Sequence, residues 1–192
     1  MDINLDFIEL AMASRGSVIS AVDKLYKLGV VYLHLYFVKL TDNRGQEELP
    51  EDANSYGLEA KTYLTASKTI GEHYRKLGIT GRTTFYINEK LSWYFILSED
   101  YGQALELVKN CKESYIKNTY ALALMFSNAV DKYRKAERVL NLAEADNYNK
   151  AMDTTVALKA VLYKLSGQCD AIVKRKERLS SSGKYLLSLR EE

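Results

Sequence analysis

Only one of the 192 residues is proline, Pro50. Proline removes a backbone donor and clashes with the preceding turn, so a chain nearly free of it can run in long uninterrupted helices. Two apolar stripes in the second half use that freedom. From Ile116, apolar or small residues fall at Tyr120, Ala123, Ser127, Val130, Tyr133, Ala136, Leu140 and Ala143, in alternating steps of three and four. This spacing predicts one helix from about Ser114 to Glu144, roughly 45 Å long at 1.5 Å per residue. Asp146, Asn147, Tyr148 and Asn149 form a polar break.

The alternation resumes at Ala151, Thr155, Leu158, Leu162, Leu165, Cys169, Ile172, Lys176 and Leu179. It passes through Gly167, which is therefore expected inside a helix at a close approach, with the next break at Ser180-Ser181-Ser182-Gly183. Two long stripes joined by a short polar break predict a C-terminal antiparallel helical hairpin within an all-α helical bundle. Its broader apolar flank, Val156, Val161, Tyr163 and Val173, needs cover from the N-terminal helices or from another subunit.

The first half reads as shorter helices. Residues 5–13 predict a short helix, ended around Ser14-Arg15-Gly16. Val18, Ile19, Val22, Leu25 and Tyr26 then open a helical segment over 17–40. Its later part, VVYLHLYFV, is β-branched and aromatic enough to admit a strand, but no partner strand is evident and helix is favoured. His34 within it reads as a core or boundary residue. TDNRGQEELPEDANSYG, residues 41–57, collects turn formers and acids and is read as a linker. A helix is expected from about Leu58 to Leu77, with Ala60, Tyr63, Leu64, Ser67, Ile70, Gly71 and Tyr74 along one side. GITGRTT, residues 78–84, follows as an interhelical turn with a threonine cap, since the Lys-Ser/Thr pair of a phosphate-binding loop is missing. Ser98, Glu99 and Asp100 signal a new helix near residue 99. The whole reads as a single helical domain over 1–192, with a sub-division into 1–42, the linker at 43–57, and 58–192.

Composition narrows the chemistry. With 47% hydrophobic and 27% charged residues the chain belongs among globular sequences. The two cysteines, Cys111 and Cys169, have neither metal spacing nor a disulfide framework, and suggest buried reduced thiols in a cytoplasmic setting. The acidic start MDINLDFIEL does not resemble a secretory signal. LGVVYLHLYFV, residues 28–38, is the most apolar run, yet it falls short of the roughly 20 residues that span a bilayer. No Glu-x-x-His pair occurs, and His34 and His73 stand on separate segments, so no catalytic residue, metal ligand or cofactor is assigned.

Charge is unevenly placed. Residues 1–60 carry five basic and ten acidic side chains, a balance of −5, whereas 150–192 carry nine basic and five acidic ones, a balance of +4. Lys164, Lys174, Arg175, Lys176, Arg178 and Lys184 could neutralise nucleic-acid phosphates, or simply form a solvated helix end. The aromatic segment Phe85, Tyr86, Trp93 and Tyr94 suits interface anchoring, as does the hairpin flank.

Two segments resemble known families. YGQALELV (101–108) and KYRKAERVL (132–140) resemble the second helix of tetratricopeptide repeats, with Ala104, Ala136 and Ala171 spaced 32 and 35 residues apart. Gln168 departs from that pattern, and the expected long helix leaves no room for the turn between paired helices. Residues 132–190, including KAMDTTVALKAVLYKLSGQCDAIVKR, resemble the C-terminal helical part of the UvsY-type phage recombination mediators. That resemblance implies ring assembly and single-stranded DNA binding, with Ile172 and Arg175 on the relevant helix. From the residues themselves the expectation is a non-enzymatic assembly or interaction subunit, associating with itself or another protein. A nucleic-acid-binding subunit is the alternative.

Overall fold

A computed structural model describes residues 15–43, 50–79, 81, 83, 86–146 and 151–168. Among them the fold is all-α, with seven helices: α1 (Arg15–Asp42), α2 (Glu51–Arg75), α3 (Ile87–Leu97), α4 (Tyr101–Val108), α5 (Ser114–Phe126), α6 (Lys132–Glu144) and α7 (Met152–Leu165). No helix among the described residues is long and apolar enough to cross a membrane. The chain forms two compact units, Met1–Glu99 and Asp100–Glu192, so α1 and α2 belong to one unit although the linker segment lies between them. The short helix expected over 5–13 lies outside the described residues.

In the first unit, α1 packs along α2, and α3 packs against both. The VVYLHLYFV run is helical throughout. Val18, Val22, Gly29, Leu33 and Tyr36 form the buried side of α1. They face a side of α2 rich in small residues, Ala53, Gly57, Ala60 and Ser67, with Leu64 among them and Ile70 one turn on. Two glycines set the spacing. A Cβ on Gly29 would lie 2.6 Å from Leu64 Cγ, and one on Gly57 would lie 3.3 Å from the Tyr36 ring. The Ser67 hydroxyl donates across the pair to the Val22 carbonyl at 2.8 Å.

Helix α2 begins seven residues earlier than the linker reading allowed, directly after Pro50. Proline at a helix start loses no hydrogen bond, and Glu51 and Asp52 sit where the helix dipole favours acids, so residues taken for a linker are a helix start. Lys39 pairs with Asp52 at 2.7 Å, joining the end of α1 to the start of α2. Helix α2 ends at Arg75 and is closed by Gly78, whose φ is +76°. Ile79 N–H donates to Tyr74 O and Gly78 N–H to Arg75 O, both at 3.0 Å, a Schellman closure. Thr83 does not cap α3; its hydroxyl donates to the Asp23 carboxylate of α1 at 2.9 Å.

In the second unit, the helix start near residue 99 is Tyr101, with Asp100 as cap accepting from Gln103 N–H at 3.1 Å. The single helix expected from Ser114 to Glu144 is two helices, α5 and α6. Ser127 is extended (φ −72°, ψ 171°) and Asp131 left-handed (φ 55°). The Ser127 hydroxyl accepts from Ala129 N–H, and its carbonyl accepts from Lys132 Nζ. Apolar periodicity cannot report such a break, because Ser127 and Val130 keep the register while the backbone turns. The helix expected to run through Gly167 likewise ends at Leu165. Gly167 has φ +76°, and Gln168 N–H donates to Tyr163 O at 2.8 Å, so this glycine is a helix terminator. The continuation of the expected hairpin, from Cys169 onward, lies outside the described residues.

Candidate protein-interaction surface

The second half of α1 is apolar on every side. Leu33 and Tyr36 are buried, but Leu28, Val31, Leu35 and Phe37 are exposed by 44%, 56%, 37% and 45%. A helix that is hydrophobic all round is normally covered all round. Here one side is covered by α2 and α3, and among the described residues of this unit nothing covers the outward side. Beside it, α1 and α3 enclose a groove of about 290 Å³ lined by Val30, Leu33, Phe37, Trp93 and Leu97, with His34 and Lys90 among the lining. His34 is exposed rather than a core residue. Lys90 reaches the buried Glu89 carboxylate at 2.9 Å. Outward ridge and groove together make a surface suited to apolar side chains of a partner.

The residues marked out in the sequence fall unevenly around this surface. Trp93 lines the groove. Tyr94 is half-buried elsewhere on α3, its ring 6.2 Å from Tyr36 and 5.2 Å from Phe95, with Lys61 Nζ 5.8 Å from its centre. Tyr86 is exposed just before α3. Val156 and Tyr163 are buried within the chain and Val161 partly so; they are core positions of the second unit. Lys164 is exposed near the end of α7. Phe85, Val173, Lys174, Arg175, Lys176, Arg178 and Lys184 lie outside the described residues. Among the described residues no group of three His, Cys, Asp or Glu side chains is placed to hold a metal. Leu28, Val31, Leu35 and Phe37 were not singled out as site residues. The available signal was their helical arrangement within a run that is apolar on all sides.

The second unit has its unusual chemistry inside. Thr155, Lys159 and Tyr163 follow one another at steps of four along α7, and each meets a polar partner. The Thr155 hydroxyl lies 2.9 Å from Asn118 Oδ1 and 3.1 Å from Ala151 O. Lys159, only 1% exposed, is ion-paired with Glu144, and the Tyr163 hydroxyl donates to Glu137 at 3.3 Å. Periodicity had put Leu158 and Leu165 on the buried stripe; Leu165 is 37% exposed and Lys159 is inside. Every member of this seam is engaged within the chain, and together they tie α7 to its neighbours.

No family model matches this chain, and neither curated proteins nor solved structures contain a match to it.

Proposed function

We propose that this protein is a non-enzymatic helical assembly subunit that holds a protein partner against the second half of α1 and the adjoining α1–α3 groove. The observation that carries the reading is the outward side of α1, where Leu28, Val31 and Leu35 are presented to solvent together, with Phe37 exposed in the adjoining groove. Monomeric proteins rarely expose contiguous large apolar surfaces, and those that do use them for association. The second unit supports a scaffold role. Its α5–α6 break supplies the turn that tetratricopeptide spacing requires, and Ala104 and Ala136 are both fully buried.

The test is in-cell cross-linking of the full chain followed by mass spectrometry, comparing the native protein with Val31→Asp. Expected are cross-links from α1 lysines to a protein neighbour, lost in the variant while its helical circular dichroism is unchanged. A protein that is monomeric by light scattering and cross-links to no neighbour through α1 would overturn the reading. So would a chain whose only association is salt-sensitive binding to single-stranded DNA or RNA, undisturbed by Val31→Asp.

A further inference from the structure

Resting on that reading, we infer that the partner on α1 is a second copy of this chain, its α1 packed antiparallel about a two-fold axis. The outward stripe of α1 is Lys24, Leu28, Val31, Leu35, Val38 and Asp42, in steps of four, three, four, three and four. This is the seam spacing of two packed helices. It lies opposite the buried side formed by Val18, Val22, Gly29, Leu33 and Tyr36. Lys24 and Asp42 are exposed, like Leu28, Val31 and Leu35 between them, while Val38 is half-buried.

The stripe is symmetric about residue 33. Position 31 has its mate at 35, 28 at 38, and 24 at 42. In an antiparallel two-fold pair these mates face each other across the seam. Val31 then meets Leu35 of the second copy, Leu28 meets Val38, and Lys24 meets Asp42 at both ends. A parallel pair would set Lys24 against Lys24 and Asp42 against Asp42, and like charges face to face oppose association. Asp42 is also the last residue of α1, where the helix dipole disfavours a carboxylate, so a lysine from the second copy would be well placed there. A standard interface buries roughly 800 Å² per partner, more than one narrow stripe. His34, exposed at the lip of the neighbouring groove, flanks the seam on α1 and adds contact there.

Sedimentation velocity of the full chain over a concentration series at low ionic strength tests this. The native protein should show a monomer–dimer equilibrium, and Val31→Asp, which buries two carboxylates per dimer, should weaken it by about a hundredfold or more. Lys24→Glu and Asp42→Lys should each weaken it by about tenfold, and the double variant Lys24→Glu/Asp42→Lys should return it to near native strength. With Cys111 and Cys169 replaced by serine, a mixture of Leu28→Cys and Val38→Cys chains should form a mixed disulfide, while neither alone cross-links efficiently. Unchanged circular dichroism certifies the fold of each variant. A chain that stays monomeric at every concentration overturns the homodimer; if it still cross-links through α1 to a different protein, the interaction reading survives alone. A dimer indifferent to Val31→Asp, or one that the charge swap fails to restore, overturns the antiparallel seam.

Discussion

The two units of this chain differ in how polar groups tie their helices together. The first packs α1 on α2 through glycine, alanine and serine at close approach, and leaves apolar side chains on the outward side of α1. The second puts Asn118, Thr155 and Lys159 inside and ties α7 to its neighbours through them. An apolar contact is tolerant of sliding, whereas a buried polar group is costly unless its one partner is in place. The second unit's geometry is therefore specified internally by polar pairs. The first unit's inner contact is specified by shape and by the Ser67–Val22 hydrogen bond, and its outer apolar surface is left exposed.

The largest test of this contrast is the Lys159–Glu144 pair. Removing the acceptor strands a buried ammonium, so Glu144→Ala should destabilise the second unit by about 3 kcal/mol, while Lys159→Met, which keeps the volume and removes the charge, should cost less than about 1 kcal/mol. Hydrogen exchange of α7 amides in urea reads both. Equal losses would mean that the pair stabilises by packing alone, and the contrast with the first unit would fail.

Shape complementarity in the first unit predicts a smaller effect with a coupling signature. Gly29→Ala gains about 1 kcal/mol of helix propensity but drives a methyl into Leu64, whose backbone nitrogen is also only 3.1 Å from the new Cβ. Overpacking costs about 1–3 kcal/mol, leaving a net loss of about 1 kcal/mol. Leu64→Ala alone should cost about 3 kcal/mol. The double variant should fall short of the sum by about 1 kcal/mol, because the truncated side chain makes room for the methyl. Strict additivity in denaturant titrations would show that Gly29 is not a close-contact glycine.

The Asn118–Thr155 bond sharpens the comparison from the other side. Thr155→Val leaves the Asn118 amide with one buried partner fewer and should cost about 1–2 kcal/mol; Asn118→Leu with Thr155→Val should cost less than the two singles added together. Denaturant midpoints of the three variants check this.

The helical class and the helices α1 and α2 were legible because periodicity and proline scarcity speak directly to them. Six of the seven α2 positions placed along one side are buried; only Tyr63 is half-exposed. The breaks were less legible. Ser127 and Asp131 end one helix and start another without disturbing the apolar register, and Gly167 terminates α7 through a left-handed φ that no hydrophobic count detects. Lys159 was unreadable as a core residue because its countercharge comes from another helix, fifteen residues away. On the candidate surface, Trp93 was found through its residue type. The ridge on α1 was missed because the apolar run, though favoured as a helix, was weighed against strand and membrane span and not for a side left uncovered.

The smallest effect concerns the polar tether of the first unit, which lies at its edge and not within its core. The Asp23 carboxylate takes a hydrogen bond from Lys27 at 2.7 Å and one from the Thr83 hydroxyl at 2.9 Å. Lys27 first, and Thr83 second, hold its pKa below the ordinary 3.8. The unfolded chain therefore takes up this proton before the folded one does. The stabilisation is present above the ordinary value and is lost as pH falls through the folded value. Because the site is open to solvent, the loss should be modest and should shrink further in high salt. Asp23→Asn should flatten the acid limb of α1 amide protection below about pH 4, leaving the neutral plateau close to native and α7 protection unchanged. An acid limb that the substitution leaves intact would assign the pH sensitivity to other carboxylates, with Asp52 on Lys39 the next to examine, since its pKa is held down in the same way.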